Sequence, residues 1–325
     1  MIAFWTILVV LLLLLATDLA YRHYASGRIR NIIENVPPFG LIEATEPSDV
    51  ATFRIPVTPD QALSACLYAA HGPARGLVVF CPEMDGNEFT ALSYCTSLPG
   101  AGFSVLSFAF RNQGDSDHEP GYSPNHWVTR TEVADLDAVI EFIRSDDDLS
   151  RLPLGLFGVS RGGSAALLAG CRHHDVLSIV TDSAYSTRGL ISHFIDRFSR
   201  HVVPHWIFRW LPTWHNQLTV RQALWRSERG RCHPYAHLEE SAKNLVQPTL
   251  LISGARDSYV TPEVTQHLAE LIGQPEHTWI VPRAKHNKAR SINPQEYDRR
   301  VVSHFEQTLL THNVVPAALP GLRLA

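Results

Sequence analysis

The sequence lacks an excess of basic charge, paired cysteines and metal-ligand spacings, and each absence removes a class of function. Lys and Arg number 28 against 32 Asp and Glu, a net charge of −4, which leaves no electrostatic footprint for nucleic acid. The five cysteines (Cys66, Cys81, Cys95, Cys171 and Cys232) are scattered, odd in number and never in a Cys-x-x-Cys pair. That argues against a zinc ribbon and a disulfide framework, and fits free thiols in a reducing compartment. The 17 histidines form no His-Glu-x-x-His or His-x-His array. They are read as packing and surface residues, with no metal and no other cofactor expected. Repeats and low-complexity tracts are also missing. Disorder is excluded from the other direction: 45% of the residues are hydrophobic and 18% charged, enough for a substantial core.

The long apolar run lies at the start. Ile2 to Ala20 carries one charge, Asp18, close to its end. As a helix it spans on the order of 28 Å, near the hydrocarbon thickness of a bilayer. A cleaved signal peptide needs a basic start, a shorter apolar centre and small residues before the cut. Here no Lys or Arg precedes the run, and Asp18 occupies the position of the cut that wants a small residue. A retained single-pass anchor over 1–21 is therefore expected. Arg22, Arg28 and Arg30 follow it, which places the bulk of the chain in the cytoplasm.

Residues 22–50 read as a juxtamembrane linker broken by Pro37, Pro38 and Pro47. From 51 the pattern becomes short apolar strands alternating with amphipathic helices. Strands are expected at 51–57, 63–70, 76–81, 103–108, 153–158, 176–181, 248–253 and 277–282. Helices are expected near 87–98, 130–145, 161–171, 262–272 and 294–311. Continuously apolar runs such as Gly76–Phe80 and Thr249–Ile252 are what a parallel sheet buried on both faces requires. The first two strands have no helix between them and suggest an antiparallel start. The expected architecture is an eight-stranded, mostly parallel α/β sheet with helices on both faces. Between 181 and 248 no strand is expected. Insertions in such sheets fall at the carboxyl edge, so 184–243 reads as a helical lid within a domain of 51–312, with 313–325 as a tail.

Gly158-Val159-Ser160-Arg161-Gly162 is a Gly-x-Ser-x-Gly sequence between an expected strand and an expected helix. A serine on a tight strand-to-helix turn, with glycines removing colliding side chains, is a nucleophile elbow. Its partners should follow in the order acid, then histidine. Asp257 lies just past strand 248–253 and His286 just past strand 277–282. His286 would take the serine proton, and Asp257 would fix the imidazole tautomer. Asp182, after strand 176–181, is the rival acid. His277 and His304 are weaker candidates for the base.

The set Gly158–Gly162, Gly254–Asp257 and Ala284–Asn287 resembles the serine α/β-hydrolase superfamily, in particular membrane-anchored members with an N-terminal helix and one hydrolase domain. Phe110–Asp117 is similar to the Arg-Gly-His-Gly-x-Ser loop after the fourth strand of those enzymes. The likeness covers about 51–312. It implies an α/β-hydrolase fold and a serine hydrolase of the esterase, lipase or thioesterase kind. A peptidase, an amidase or an acyltransferase would use the same residues, and a catalytically idle membrane-tethered scaffold is the reading from another class. One departure is the loop after the third strand. Relatives often carry His-Gly there, whereas this chain has Cys81-Pro82-Glu83-Met84-Asp85-Gly86. An oxyanion hole needs backbone N–H groups, which Pro82 lacks. The expected donors are Arg161 and Met84 (or Glu83). Glu83 and Asp85 are read as solvated loop carboxylates, because charge beside a developing oxyanion is unfavourable. Trp206, Trp210 and Trp214, spaced by four, would share one helical face; that face packs the lid on the main domain or, in the functional reading, lines an apolar acyl pocket or dips into the bilayer interface. The expected partners are an acyl ester or lipid and the bilayer.

Overall fold

The structure, a computed structural model, describes residues 1–35, 47, 50–202, 211–231 and 233–310. The described chain divides into two compact units at Leu190/Ile191 and Pro234/Tyr235. One holds the N-terminal helix with the stretch from Ile191 to Pro234, and the other holds every strand of the sheet.

All eight expected strands form: β1 (Thr52–Thr58), β2 (Gln61–Tyr68), β3 (Gly76–Cys81), β4 (Phe103–Phe108), β5 (Leu154–Val159), β6 (Val176–Asp182), β7 (Thr249–Gly254) and β8 (Thr278–Val281). Their order across the sheet is β1-β2-β4-β3-β5-β6-β7-β8. β1 pairs with β2, and β2 with β4, antiparallel; the remaining pairs are parallel. β3, β4, β5 and β7 are buried at every position, the apolar runs of β3 and β5 and also Ser104 and Ser107 of β4 and Thr249 and Ser253 of β7. Alternation along β3 splits the core between the faces. Leu77 and Val79 join Leu136, Ile140 and Ala165 on one side; Val78 and Phe80 join Tyr297, Val301 and Phe305 on the other.

The helices are α1 (Ile2–Glu34), α2 (Arg130–Ser145), α3 (Arg161–Gly170), α4 (Thr187–Val202), α5 (Thr213–Arg231), α6 (Pro262–Leu271), α7 (Ala289–Ile292) and α8 (Pro294–Leu309). α2 begins at a full capping box in which Thr129 and Glu132 satisfy each other's backbone ends. It buries Val133, Leu136, Ile140 and Ile143 at helical spacing. Pro262 and Pro294 open α6 and α8, where a missing N–H leaves nothing unpaired.

Two expectations differ from what is found. The helix expected at 87–98 is only a 3₁₀ turn at Thr90–Ser93, with another at Pro99–Ala101. The Asn87 carboxamide accepts from the Phe89 N–H, and the Thr90 hydroxyl accepts from the Asn87 N–H, drawing the backbone out of helical pairing. Pro99 then stops any continuation. The second difference is the length of α1, which runs unbroken to Glu34 through part of the stretch read as linker. Its first half is uncovered, and an 18-residue window has mean hydropathy 2.5, long and apolar enough to cross a membrane. Its second half buries Ala25, Ile29 and Ile33, one face at spacing four, in the unit it shares with α5.

Candidate active site

Parallel pairing sends the ends of β5, β7 and β8 to one edge of the sheet, and the loops there carry Ser160, Asp257 and His286. Ser160 sits between β5 and α3 with φ 51° and ψ −118°, a conformation that non-glycine residues rarely hold. Its N–H donates to the Asp182 carbonyl at 2.7 Å, which fastens the turn to β6. The flanking glycines are required by space. A Cβ at Gly158 would stand 2.4 Å from the Gly162 carbonyl oxygen, and one at Gly162 would stand 2.1 Å from that of Cys81. Gly254 does the same for the other two loops, since a Cβ there would meet the Ala284 carbonyl oxygen at 2.4 Å. The Arg256 N–H donates to that same oxygen at 2.8 Å, tying the loop of Asp257 to the loop of His286.

The three side chains form one line. Ser160 Oγ lies 3.0 Å from His286 Nε2, and His286 Nδ1 lies 2.7 Å from Asp257 Oδ2. A carboxylate accepts only, so Nδ1 carries the hydrogen and Nε2 is left to receive one from the serine. The second oxygen of Asp257 accepts from the backbone N–H groups of Tyr259 and Val260 at 2.8 and 2.9 Å, which fixes the carboxylate. The Tyr259 ring packs edge-on against the imidazole. Such an arrangement removes a proton from a serine hydroxyl and holds the resulting imidazolium against a charge.

The two weaker histidine candidates lie away from this line, and the rival acid, though near it, is held by other partners. His277 is exposed at the start of β8. His304 lies in α8 with Nε2 at 3.3 Å from the Pro248 carbonyl oxygen, and burial pulls its pKa down to about 4. Asp182 is fully buried, with Oδ2 accepting from the Tyr297 hydroxyl and Oδ1 from Ser183, each at 3.0 Å. Burial pushes its pKa up to about 6, against the pull of those two hydroxyls and of His286.

The loop after β3 corrects one expectation. Asp85 is exposed, as expected, but Glu83 is buried and accepts a hydrogen bond from the Tyr94 hydroxyl at 2.9 Å. Burial pushes the Glu83 pKa up to about 7, and the Asp182 charge adds to the rise. A carboxyl held neutral over most of the acid range removes the charge objection that made an outward carboxylate seem necessary. Met84 is half-buried beside Glu83. Gln113, from the loop after β4, accepts from the Asp85 N–H at 2.7 Å and pins this turn in place. Arg161 is the first residue of α3, where backbone N–H groups have no partner within the helix. Its guanidinium is buried, paired with Glu132 at 3.3 Å and lying over the Phe110 ring.

Sequence reasoning missed the Glu83–Tyr94 and Asp182–Tyr297 pairs, since nothing in local spacing announces that a distant tyrosine will cap a buried acid. The expected indole face lies partly outside the described residues. Leu211 and Pro212 are non-helical and α5 starts at Thr213, so Trp214 begins a new helix and is exposed. Trp206 and Trp210 lie outside the described residues.

Solved structures share this architecture. The Pyrococcus furiosus esterase Pf2001 matches with a TM-score of 0.59 and 19% identity over 84% of this chain and 97% of its own. Rv0554 from Mycobacterium tuberculosis matches with a TM-score of 0.54 and 18% identity over 79% of this chain and 99% of its own. MGS-M2, an alpha/beta hydrolase enzyme from a Medee basin deep-sea metagenome library, gives 0.54 and 15% over 79% and 98%. At these identities the likeness is one of fold. Residues 70–302, most of the sheet unit, match the family model described as the alpha/beta hydrolase family, and the chain belongs to that family.

Proposed function

We propose that the protein is a serine hydrolase that cleaves carboxyl esters through an acyl-enzyme. The observation that carries this reading is the hydrogen-bonded line from Ser160 through His286 to Asp257 at the carboxyl edge of the sheet. In this reading Ser160 Oγ attacks the acyl carbon while its proton passes to His286 Nε2. The oxyanion accepts from the backbone N–H groups of Arg161 and Met84 (or Glu83). Collapse breaks the ester C–O bond, and the imidazolium returns its proton to the departing alcohol. Water then attacks the acyl-enzyme by the same route, with His286 as base, and frees the acid and Ser160. Asp257 keeps Nδ1 protonated throughout. Family membership and an esterase among the structural neighbours favour an ester over an amide, although the three residues themselves are indifferent to the leaving group.

Labelling with a fluorophosphonate probe tests the nucleophile. Wild type should label and Ser160→Ala should not, with the fold kept, because alanine is smaller and retains the backbone N–H that fastens the turn to Asp182. Equal labelling of both would reject Ser160, and no labelling of a folded wild type would favour a binding scaffold. Acyl esters of graded length, set against peptide amides, then test the bond class. Faster cleavage of the amides would overturn the ester assignment.

We further propose that Ile2–Ala20 is a retained membrane anchor. Support comes from its uncovered apolar surface and from the continuous helix that carries it past Ala20 into packed residues at Ala25, Ile29 and Ile33.

A further inference from the structure

In the unit formed by α1 and the stretch 191–234, α5 is fastened to the end of the apolar segment. His215 Nε2 lies 2.5 Å from Asp18 Oδ1, and Arg22 holds the other oxygen of Asp18 at 2.7 Å. The Tyr21 and His215 rings pack at 5.8 Å. Further along, Arg226 donates to the His23 carbonyl and to the Ser26 hydroxyl, and the Ser227 hydroxyl donates to Glu34. The contacts advance together in both helices, so α5 starts at the level of Asp18 and runs alongside α1 away from its apolar half. Asp18 is the one charge within Ile2–Ala20, and these partners explain how it is tolerated there.

The face of α5 turned away from α1 carries Trp214, Leu218, Arg221 and Trp225, at spacings of four, three and four. His215, Thr219, Ala223 and Ser227 are buried on the other side. Trp214 is 60% exposed, and by its neighbour His215 it stands where the uncovered apolar surface of α1 ends. Trp225 lies about 16 Å further along the helix. It is exposed as well and carries the Arg229 guanidinium over its ring.

We propose that the first turn of α5 is a membrane-surface anchor, with Trp214 and Leu218 seated in the lipid headgroup region and Trp225 outside it. The surface is continuous with the apolar half of α1, which commits it to lipid and not to a soluble partner. An indole with an apolar body and one N–H donor is suited to that depth. The Asp18–His215–Arg22 cluster sets the depth by tying α5 to α1. This inference rests on the reading of Ile2–Ala20 as a membrane anchor.

The test uses the full chain in phosphatidylcholine–phosphatidylglycerol vesicles, in a Cys232→Ser background whose Cys66, Cys81, Cys95 and Cys171 are buried. Bimane is attached in turn to Val10→Cys, Trp214→Cys and Trp225→Cys, and lipids carry a nitroxide either high on the acyl chain or near its end. The label at 10 should be quenched most by the deep nitroxide, the label at 214 most by the shallow one, and the label at 225 by neither. Quenching at 10 without quenching at 214 would overturn the surface anchor while leaving the span intact, and would point to another occupant such as a second copy. No quenching at 10 would reject the span, and the surface anchor with it. His215→Ala should abolish quenching at 214 and leave that at 10; undiminished quenching at 214 would overturn the role of the Asp18 cluster.

Discussion

Two acids stand near His286 and are held in different ways. Asp257 reaches Nδ1 at 2.7 Å, whereas both oxygens of Asp182 are taken by Ser183 and Tyr297. Asp257→Asn should therefore lower kcat by roughly 10⁴, because the carboxamide favours the wrong imidazole tautomer. Asp182→Asn should lower it far less. Steady-state turnover of an activated ester by both variants decides the matter, and the reverse ranking would make Asp182 the acid. Glu83 gives a prediction about stability. Its folded pKa is raised to about 7, so the native state prefers the protonated form. The stabilisation this brings is complete below the unfolded pKa of about 4.5 and is lost as pH rises through about 7. Glu83→Gln keeps an acceptor for Tyr94 and cannot ionise. Its melting temperature should match wild type near pH 5 and exceed it near pH 8. A difference independent of pH would mean that Glu83 ionises in the folded protein as it does in the unfolded one.

At the scale of elements, much was legible because burial on both faces leaves a plain mark. β3 and β5 are unbroken apolar runs, and the ends of β5, β7 and β8 place Ser160, Asp257 and His286 at one edge from the sequence alone. What was not legible depends on side chains reaching back to the backbone or across the chain. Asn87 and Thr90 cancel a helix whose apolar spacing looked adequate. The end of α1 was misplaced because its polar second half finds partners on α5, far away in sequence. The buried Glu83 is met by the Tyr94 hydroxyl, eleven residues further along the chain. A packing test belongs here. Phe305 of α8 lies against Gly155 of β5, where even a Cβ would stand 2.8 Å from its ring. Phe305→Ala should destabilise the sheet unit by about 3–5 kcal/mol. It should read as a lower urea midpoint, with probe labelling of the folded fraction unchanged. Loss of labelling in protein that is still folded would mean that α8 also positions the site.

At the scale of the whole molecule, the proposed anchor at Ile2–Ala20 carries an orientation with it. Arg22, Arg28 and Arg30 follow the apolar segment directly. Two of them are paired on their own helix, Arg22 with Asp18 at 2.7 Å and Arg30 with Glu34 at 2.9 Å. In a net-charge rule those pairs would cancel most of the signal. Orientation, however, follows Lys and Arg counted within about 15–20 residues of the span, and neighbouring acids contribute little. On that rule the pairs do not weaken the bias. The proposed orientation therefore places the C-terminal bulk in the cytoplasm. In a bacterial host, alkaline phosphatase fused to the C-terminus should remain inactive, because it matures only after export. Replacing Arg22, Arg28 and Arg30 by Gln should raise its activity by loosening the orientation. Strong phosphatase activity in the unaltered fusion would reverse the topology and set the sheet unit on the periplasmic side, without touching the proposal that Ile2–Ala20 spans the bilayer.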